Sequence, residues 1–253
     1  MTGWEHLAVL GAGFGAGVLS TTVGVASLLS FPVLLAVGLP PVVANASNTV
    51  GLVPAGLSGS FGYRQELREH PRVAVIVLVT CAVGSVAGAV LLLALPPGVF
   101  EAIVPWLILT SCLLVGVQPW ISRWLRRTRD EPTRLRHGMS PATVVFSVLT
   151  GVYGGYFGAG AGVMMAAVLG LGTDLAVRNI NALRTVALLA ANLIATVIFV
   201  VVADLDWLAI GLLAAGSVVG GYVGARIGRK MPPSVFRVLV VVAGVVTAVV
   251  MLT

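Results

Sequence analysis

Hydrophobic positions in this 253-residue chain run in long blocks, and the polar residues gather in short gaps between them. The pattern marks about eight apolar stretches: 7–37, 42–63, 73–95, 99–119, 141–172, 175–203, 207–227 and 234–252. A helix that crosses a bilayer needs about 20 apolar residues. The stretches 73–95, 99–119, 207–227 and 234–252 fit that length, whereas 7–37 and 141–172 are too long for one span. Each of the long ones has a middle of small residues, Thr22 to Ser27 in one and Gly158 to Gly162 in the other. Glycine bends or breaks a helix, and broken helices are tolerated at membrane depth where they line a cavity. The expected fold is an all-α polytopic membrane protein whose long segments are broken or re-entrant.

The pattern occurs twice. At one constant offset Gly17 falls on Gly151, Gly24 on Gly158, Gly38 on Gly172, Val43 on Val177 and Asn45 on Asn179. Further on, Pro96, Pro97, Val99 and Phe100 fall on Pro232, Pro233, Val235 and Phe236. The chain therefore divides into a first membrane repeat, 1–119, a basic cytoplasmic linker, 120–140, and a second membrane repeat, 141–253. Duplicated halves are a common plan for secondary transporters, with the substrate site at their interface.

Charge orients the halves. The gap near 64–72 carries Arg64, Arg68 and Arg72, while its counterpart is the acidic Asp204-Leu205-Asp206. The uncharged gap near 95–98 matches 226–233, which carries Arg226, Arg229 and Lys230. Equivalent positions have opposite charge character, so the positive-inside rule favours inverted repeats. In that arrangement the long stretches are re-entrant pairs, each half crosses three times, the basic gaps face inward and both termini face outward. Eight single crossings would instead make the halves parallel and turn 226–233 outward.

Composition agrees with a bilayer. The chain is 58% hydrophobic and 9% charged, against about 25% charged in a soluble domain. The net charge of +6 is concentrated between Ser122 and His137, so it reads as a cytoplasmic loop and no nucleic-acid partner is expected. Met1 to His6 lacks the positive start of a signal peptide. Cys81 and Cys112 sit in apolar runs and read as small hydrophobes, with neither disulfide nor metal expected. Gly216, Gly220, Gly224 and Gly228 share one helical face, as do Gly84 and Gly88, and such faces let helices approach closely in lipid.

Few motifs suggest an enzyme. Gly11, Gly13 and Gly15 imitate a dinucleotide fingerprint, but no acidic residue follows until Glu66. Asn45-Ala46-Ser47 matches a glycosylation sequon but lies at membrane depth. His6, His70 and His137 are scattered, and no nucleophile–base arrangement, phosphate loop or cofactor motif appears.

Intramembrane polar residues carry the chemistry, since charge there is costly and usually faces a cavity. Arg178 and Arg184 share the sixth stretch with Asn179 and Asn181, and the corresponding part of the first half holds Asn45, Asn48 and Thr49. Arg178, Asn181 and Arg184 share a helical face, as do Asn45, Asn48 and Thr49. Two guanidinium groups with amide donors suit a small oxyanion. The starts of the two polar helices, near Gly38 to Pro41 and Gly172 to Asp174, would add free N–H groups. The bland alternatives are interhelical hydrogen bonding for the Asn, Ser and Thr residues, an Arg178–Asp174 salt bridge, and snorkelling of Arg184.

These residues resemble the TauE/SafE sulfite exporter family, also called the toluenesulfonate uptake permease family. The first half carries Gly17, Gly24, Pro32, the run Gly38 to Pro41, Asn45 and Ser47; the second carries Gly151, Gly158, Gly162, Gly172, Asn179 and Arg184. Val25-Ala26-Ser27 departs from the family's glycine-rich turn. The resemblance implies a permease for sulfite, sulfonates or related organic anions, in either direction.

The expectation is therefore a multi-pass transporter of the plasma or inner membrane, working by alternating access, with membrane lipid around it. Its substrate-binding residues would be Arg184, Arg178, Asn45, Asn48, Thr49, Asn179 and Asn181. A homo-oligomer and a coupling proton or cation stay open. An anion channel and a non-transporting membrane subunit are the competing functions.

Overall fold

A computed structural model describes residues 3–128, 139–227 and 234–252. The side chains of the basic stretch 122–137, and of Arg229, Lys230 and Arg237, lie outside the description, as does Gly228. The described residues contain no strand. They form α1 (Gly3–Thr22), α2 (Ser27–Ala36), α3 (Pro41–Gly62), α4 (Arg64–Glu69), α5 (Pro71–Ala94) and α6 (Pro97–Thr128) in the first half. The second half gives α7 (Pro141–Tyr156), α8 (Ala161–Gly172), α9 (Val177–Val202), α10 (Trp207–Ile227) and α11 (Ser234–Leu252). Helix α6 continues through Thr128, well into the stretch read as linker.

Both long apolar stretches are broken where their small residues stand. Gly24, between α1 and α2, has φ +84°, and Gly158 and Gly160, between α7 and α8, have φ +76° and +80°. Left-handed backbone suits glycine and ends a helix. The pieces are unequal: α1 has 20 residues and α2 has 10, while α7 has 16 and α8 has 12. Pro41, Pro71 and Pro141 stand at the first helical position, where the missing N–H costs nothing. Helix α9 starts at Val177 with Ala176 as its N-cap, not at Thr173 or Asp174 as the sequence suggested.

Among the described residues, four helices are long and apolar enough to cross a membrane: Pro71–Ala94, Pro97–Gln118, Val177–Val202 and Trp207–Arg226. Large apolar side chains such as Val75, Val79, Leu113, Val197, Val201 and Leu208 face outward. An apolar surface on this scale, on helices of spanning length, is what a membrane protein presents to lipid.

Glycine seams set the packing. Gly13 abuts Leu213, Gly17 abuts Ser217 and Gly221, and Gly224 abuts Val18, so α1 and α10 run alongside each other in the same sense. The equivalent pair behaves alike: Gly84 abuts Val148, Gly88 abuts Val152 and Gly155 abuts Ser85, so α5 and α7 are also parallel. Helix α3 joins α10 in the same sense, through Gly51 against Leu213 and Gly62 against Ala225. The two glycine faces read from the sequence are thus close helix contacts. In contrast, Gly56 meets Leu189 and Gly59 meets Thr185, so α3 and α9 run in opposite senses. Because α1 and α3 both follow α10, residues 23–40 must carry the chain back from the end of α1 to the start of α3.

Candidate functional site at the meeting of the helix breaks

The two breaks touch. Gly24 packs backbone to backbone on Gly162, and a Cβ on either would sit 2.9 Å or less from the other's Cα. Helix α8 leaves this point with Gly162 beside Leu188 and ends with Gly172 beside Thr143, at the start of α7. Helix α2 leaves it for the start of α3. These ends are opposite, since Asn45 near the α3 start donates to Tyr156 O at the far end of α7, at 2.9 Å. Two short helices therefore begin near the middle of the bundle and depart in opposite directions, with their N-termini facing each other. Each N-terminus carries about half a positive charge, although Leu28, Leu29, Ala161 and Val163 already donate their N–H groups to Val25 O, Ala26 O, Gly158 O and Gly160 O.

Polar side chains flank the α2 start. Asn48 Nδ2 donates to Ser27 Oγ at 3.0 Å, and Ser30 Oγ donates to Asn48 Oδ1 at 2.5 Å. Ser27 thereby accepts a hydrogen bond and keeps its own proton available. All three residues are buried. Phe157 closes the neighbourhood, with its ring edge-on to Phe31 at 5.4 Å and to Phe100 at 6.1 Å.

Arg184 reaches the same region from α9. It is 1% exposed. Its guanidinium donates to Val23 O at 3.0 Å, Thr22 O at 2.5 Å and Thr21 O at 3.3 Å. Thr21 and Thr22 end α1 and Val23 follows it, so the cation sits at the helix C-terminus, where it suits the dipole. None of its hydrogen-bond partners is a carboxylate, and its Nε has no partner among the described residues. The sequence marked Arg184 as the strongest cation; that its partners would be carbonyls from the other half could not be read there.

The remaining predicted residues do not form one cluster. Along the antiparallel α3–α9 pair, Asn45 stands roughly 16 Å to one side of the Gly56–Leu189 contact and Asn179 roughly 15 Å to the other, at 1.5 Å per residue. Asn45 holds the end of α7. Thr49 donates back to Asn45 O at 2.9 Å. Arg178 is exposed and donates to Glu69 at 3.0 and 3.1 Å, so its carboxylate partner is Glu69 rather than Asp174. Asn179 Nδ2 joins the same carboxylate at 2.9 Å. Asn181 is half-buried on α9, and its backbone carbonyl accepts from Thr185. The sequence reading missed Ser30, Tyr156 and Glu69. The Ser27 and Ser30 pair, three apart in an apolar helix, was the available signal. Cys81 and Cys112 are free and buried. No group of three or more His, Cys, Asp or Glu residues forms a metal cage among the described residues.

Comparison with known proteins adds the family. The model for the family described as "Sulfite exporter TauE/SafE" matches residues 9–251. A protein of Haemophilus influenzae, described as a probable membrane transporter protein, is 27% identical over 243 residues, covering 95% of this chain and 92% of its own. A Sinorhizobium protein, described as probable membrane transporter protein ORF9, is 25% identical over 243 residues, covering 94% of this chain and 88% of its own. No solved structure matches.

Proposed function

This chain belongs to the TauE/SafE sulfite exporter family of membrane transporters, and from that premise we propose that it carries a small sulfur-containing or organic oxyanion, such as sulfite or a sulfonate, across the cell membrane by alternating access. The observation that carries the reading is the pair of facing short-helix N-termini at the Gly24–Gly162 contact. Together they supply about one positive charge, in a place where water is scarce and an anion gains most from fixed donors. Arg184 adds a full charge beside them, and Ser27 adds a hydroxyl proton. Asn48 holds Ser27, and the Glu69–Arg178–Asn179 group forms a rim at the α4 end of the protein.

The halves are inverted repeats in this reading. Support comes from the opposite senses of α3 and α9 and from the matching parallel pairs α1–α10 and α7–α5. The basic gaps 64–72, 122–137 and 226–233 then share the cytoplasmic side. The first long stretch folds as a full-length α1 and a half-length re-entrant α2, with α7 and α8 as their counterparts. An inside-negative potential favours anion export by about 2.3 kcal/mol per charge per 100 mV.

Tracer flux in proteoliposomes tests the function, with sulfite, thiosulfate, sulfoacetate and sulfate as substrates. Saturable flux of one of them is expected. Ser27→Ala should raise KM about tenfold or more, because a hydrogen bond to a charged group is worth about 1.5–3 kcal/mol. Absence of saturable flux from well-folded protein, or unitary currents in its place, would overturn the carrier.

A further inference from the structure

Away from the breaks, a cavity of about 120 Å³ opens between α3, α4 and α10, lined by Gly62, Arg64, Gln65, Tyr222 and Arg226. We propose that it holds the phosphate headgroup of an anionic phospholipid. The two arginines come from different halves of the chain and are brought together by the close seam between α3 and α10, where Gly62 abuts Ala225 and Gly221 abuts Ala55. Each guanidinium lies over an aromatic ring of its own helix or the one before it. Arg64 sits 4.7 Å from the Phe61 centroid, and Arg226 sits 4.5 Å from that of Tyr222. Stacking orients the planar groups; Arg64 donates from one Nη to Phe61 O at 3.3 Å, and the other N–H groups of the two guanidiniums suit hydrogen bonds to phosphate. Neither is paired with a carboxylate among the described residues. An arginine near a helix C-terminus is stabilised by the dipole alone; a shared polar cavity between two such arginines goes further.

The surroundings select a lipid over a soluble anion. Leu57 and Phe61 lie on the last turns of α3, just before Arg64 opens α4, and Val219 and Tyr222 stand in line with Arg226 on α10. Leu57, Phe61 and Val219 are each more than half exposed. Two apolar stripes thus run into the bilayer from a cationic head site, matching the two-part chemistry of a phospholipid. Arg64, Arg68, Arg72 and Arg226 share this end of the protein, which the positive-inside rule makes cytoplasmic. Basic pockets between helices on that side suit anionic headgroups.

Native mass spectrometry of the purified full chain tests the proposal, with phosphatidylglycerol, phosphatidylcholine or inorganic phosphate added in turn. Phosphatidylglycerol adducts should survive on wild type, fall several-fold in Arg64→Gln and in Arg226→Gln, and fall at least tenfold in the double variant. Phosphatidylcholine should leave few adducts, and inorganic phosphate should not compete at equal concentration. Equal phosphatidylglycerol retention by wild type and variants would overturn the site. So would equal retention of phosphatidylcholine, which would mark non-selective apolar contact, or competition by inorganic phosphate, which would mark a soluble-anion site. If the double variant does not fold, the single variants decide.

Discussion

Replacing Arg184 by methionine separates two roles that the same guanidinium could serve. The side chain is buried, and its N–H groups bond three carbonyls at the end of α1. Thr21 O also accepts from the Tyr63 hydroxyl at 3.1 Å, so it keeps a donor after the change. Thr22 O and Val23 O accept no other hydrogen bond among the described residues. Two orphaned buried acceptors cost about 1–3 kcal/mol each, or about 2–6 kcal/mol together. Removing a buried charge also removes its desolvation cost, which acts in the opposite direction. The net loss should therefore sit near the lower end, about 2–3 kcal/mol. For a chain of this size that is a fall in Tm of about 5 °C or more. The buried free thiols of Cys81 and Cys112 provide the readout, through a thiol-reactive dye in detergent without any anion present. A Tm within 1 °C of wild type would refute the reasoning. The guanidinium would then be free of the α1 end and available to the substrate outright.

Other outcomes follow from the same geometry. Arg178→Gln removes an exposed pair with Glu69, so stability should change by less than about 1 kcal/mol and the KM for the transported anion by less than twofold. Gly24→Ala and Gly162→Ala push a Cβ into the facing backbone, and the first also strains a φ of +84°; both should abolish flux or folded yield, while Gly116→Ala, with nothing within 4 Å, should be tolerated in both assays. For topology, Leu205→Cys should react with an impermeant thiol reagent applied from outside, and Met231→Cys should not, in a background lacking Cys81 and Cys112. The reverse pattern would turn the whole protein over.

The sequence located the breaks well because their cause is local. Gly24 and Gly158 need left-handed backbone, and small residues around them offer no helix-holding side chains. The polar girdle misled for a reason that is equally physical. Asn45 and Asn179 are equivalent in the repeat, and similarity along the chain suggests proximity. Between helices running in opposite senses, equivalence puts them on opposite sides of the Gly56–Leu189 contact instead. Only equivalent residues of α3 and α9 that lie near that contact can come together. From the sequence Arg178 reads as a substrate residue, with a salt bridge to Asp174 as the alternative by helical spacing, but Glu69, far away in sequence, is the carboxylate it meets. Long-range partners of this kind leave no periodic trace.

The exchanged packing of the halves has a consequence for how the protein can move. Helices α1 and α3 of the first half are sealed against α10 of the second, while α7 and α9 of the second are joined to α5 of the first. The natural rigid bodies are therefore two mixed bundles, each drawn from both ends of the chain, and they adjoin along α3 and α9. Any rocking motion would slide these bundles past one another at the Gly56–Leu189 and Gly59–Thr185 contacts, while the glycine seams stay closed. A single half, released by cutting the chain between 119 and 141, would lack the partner for its own first helix. It could complete its core only by embracing a second copy turned the other way.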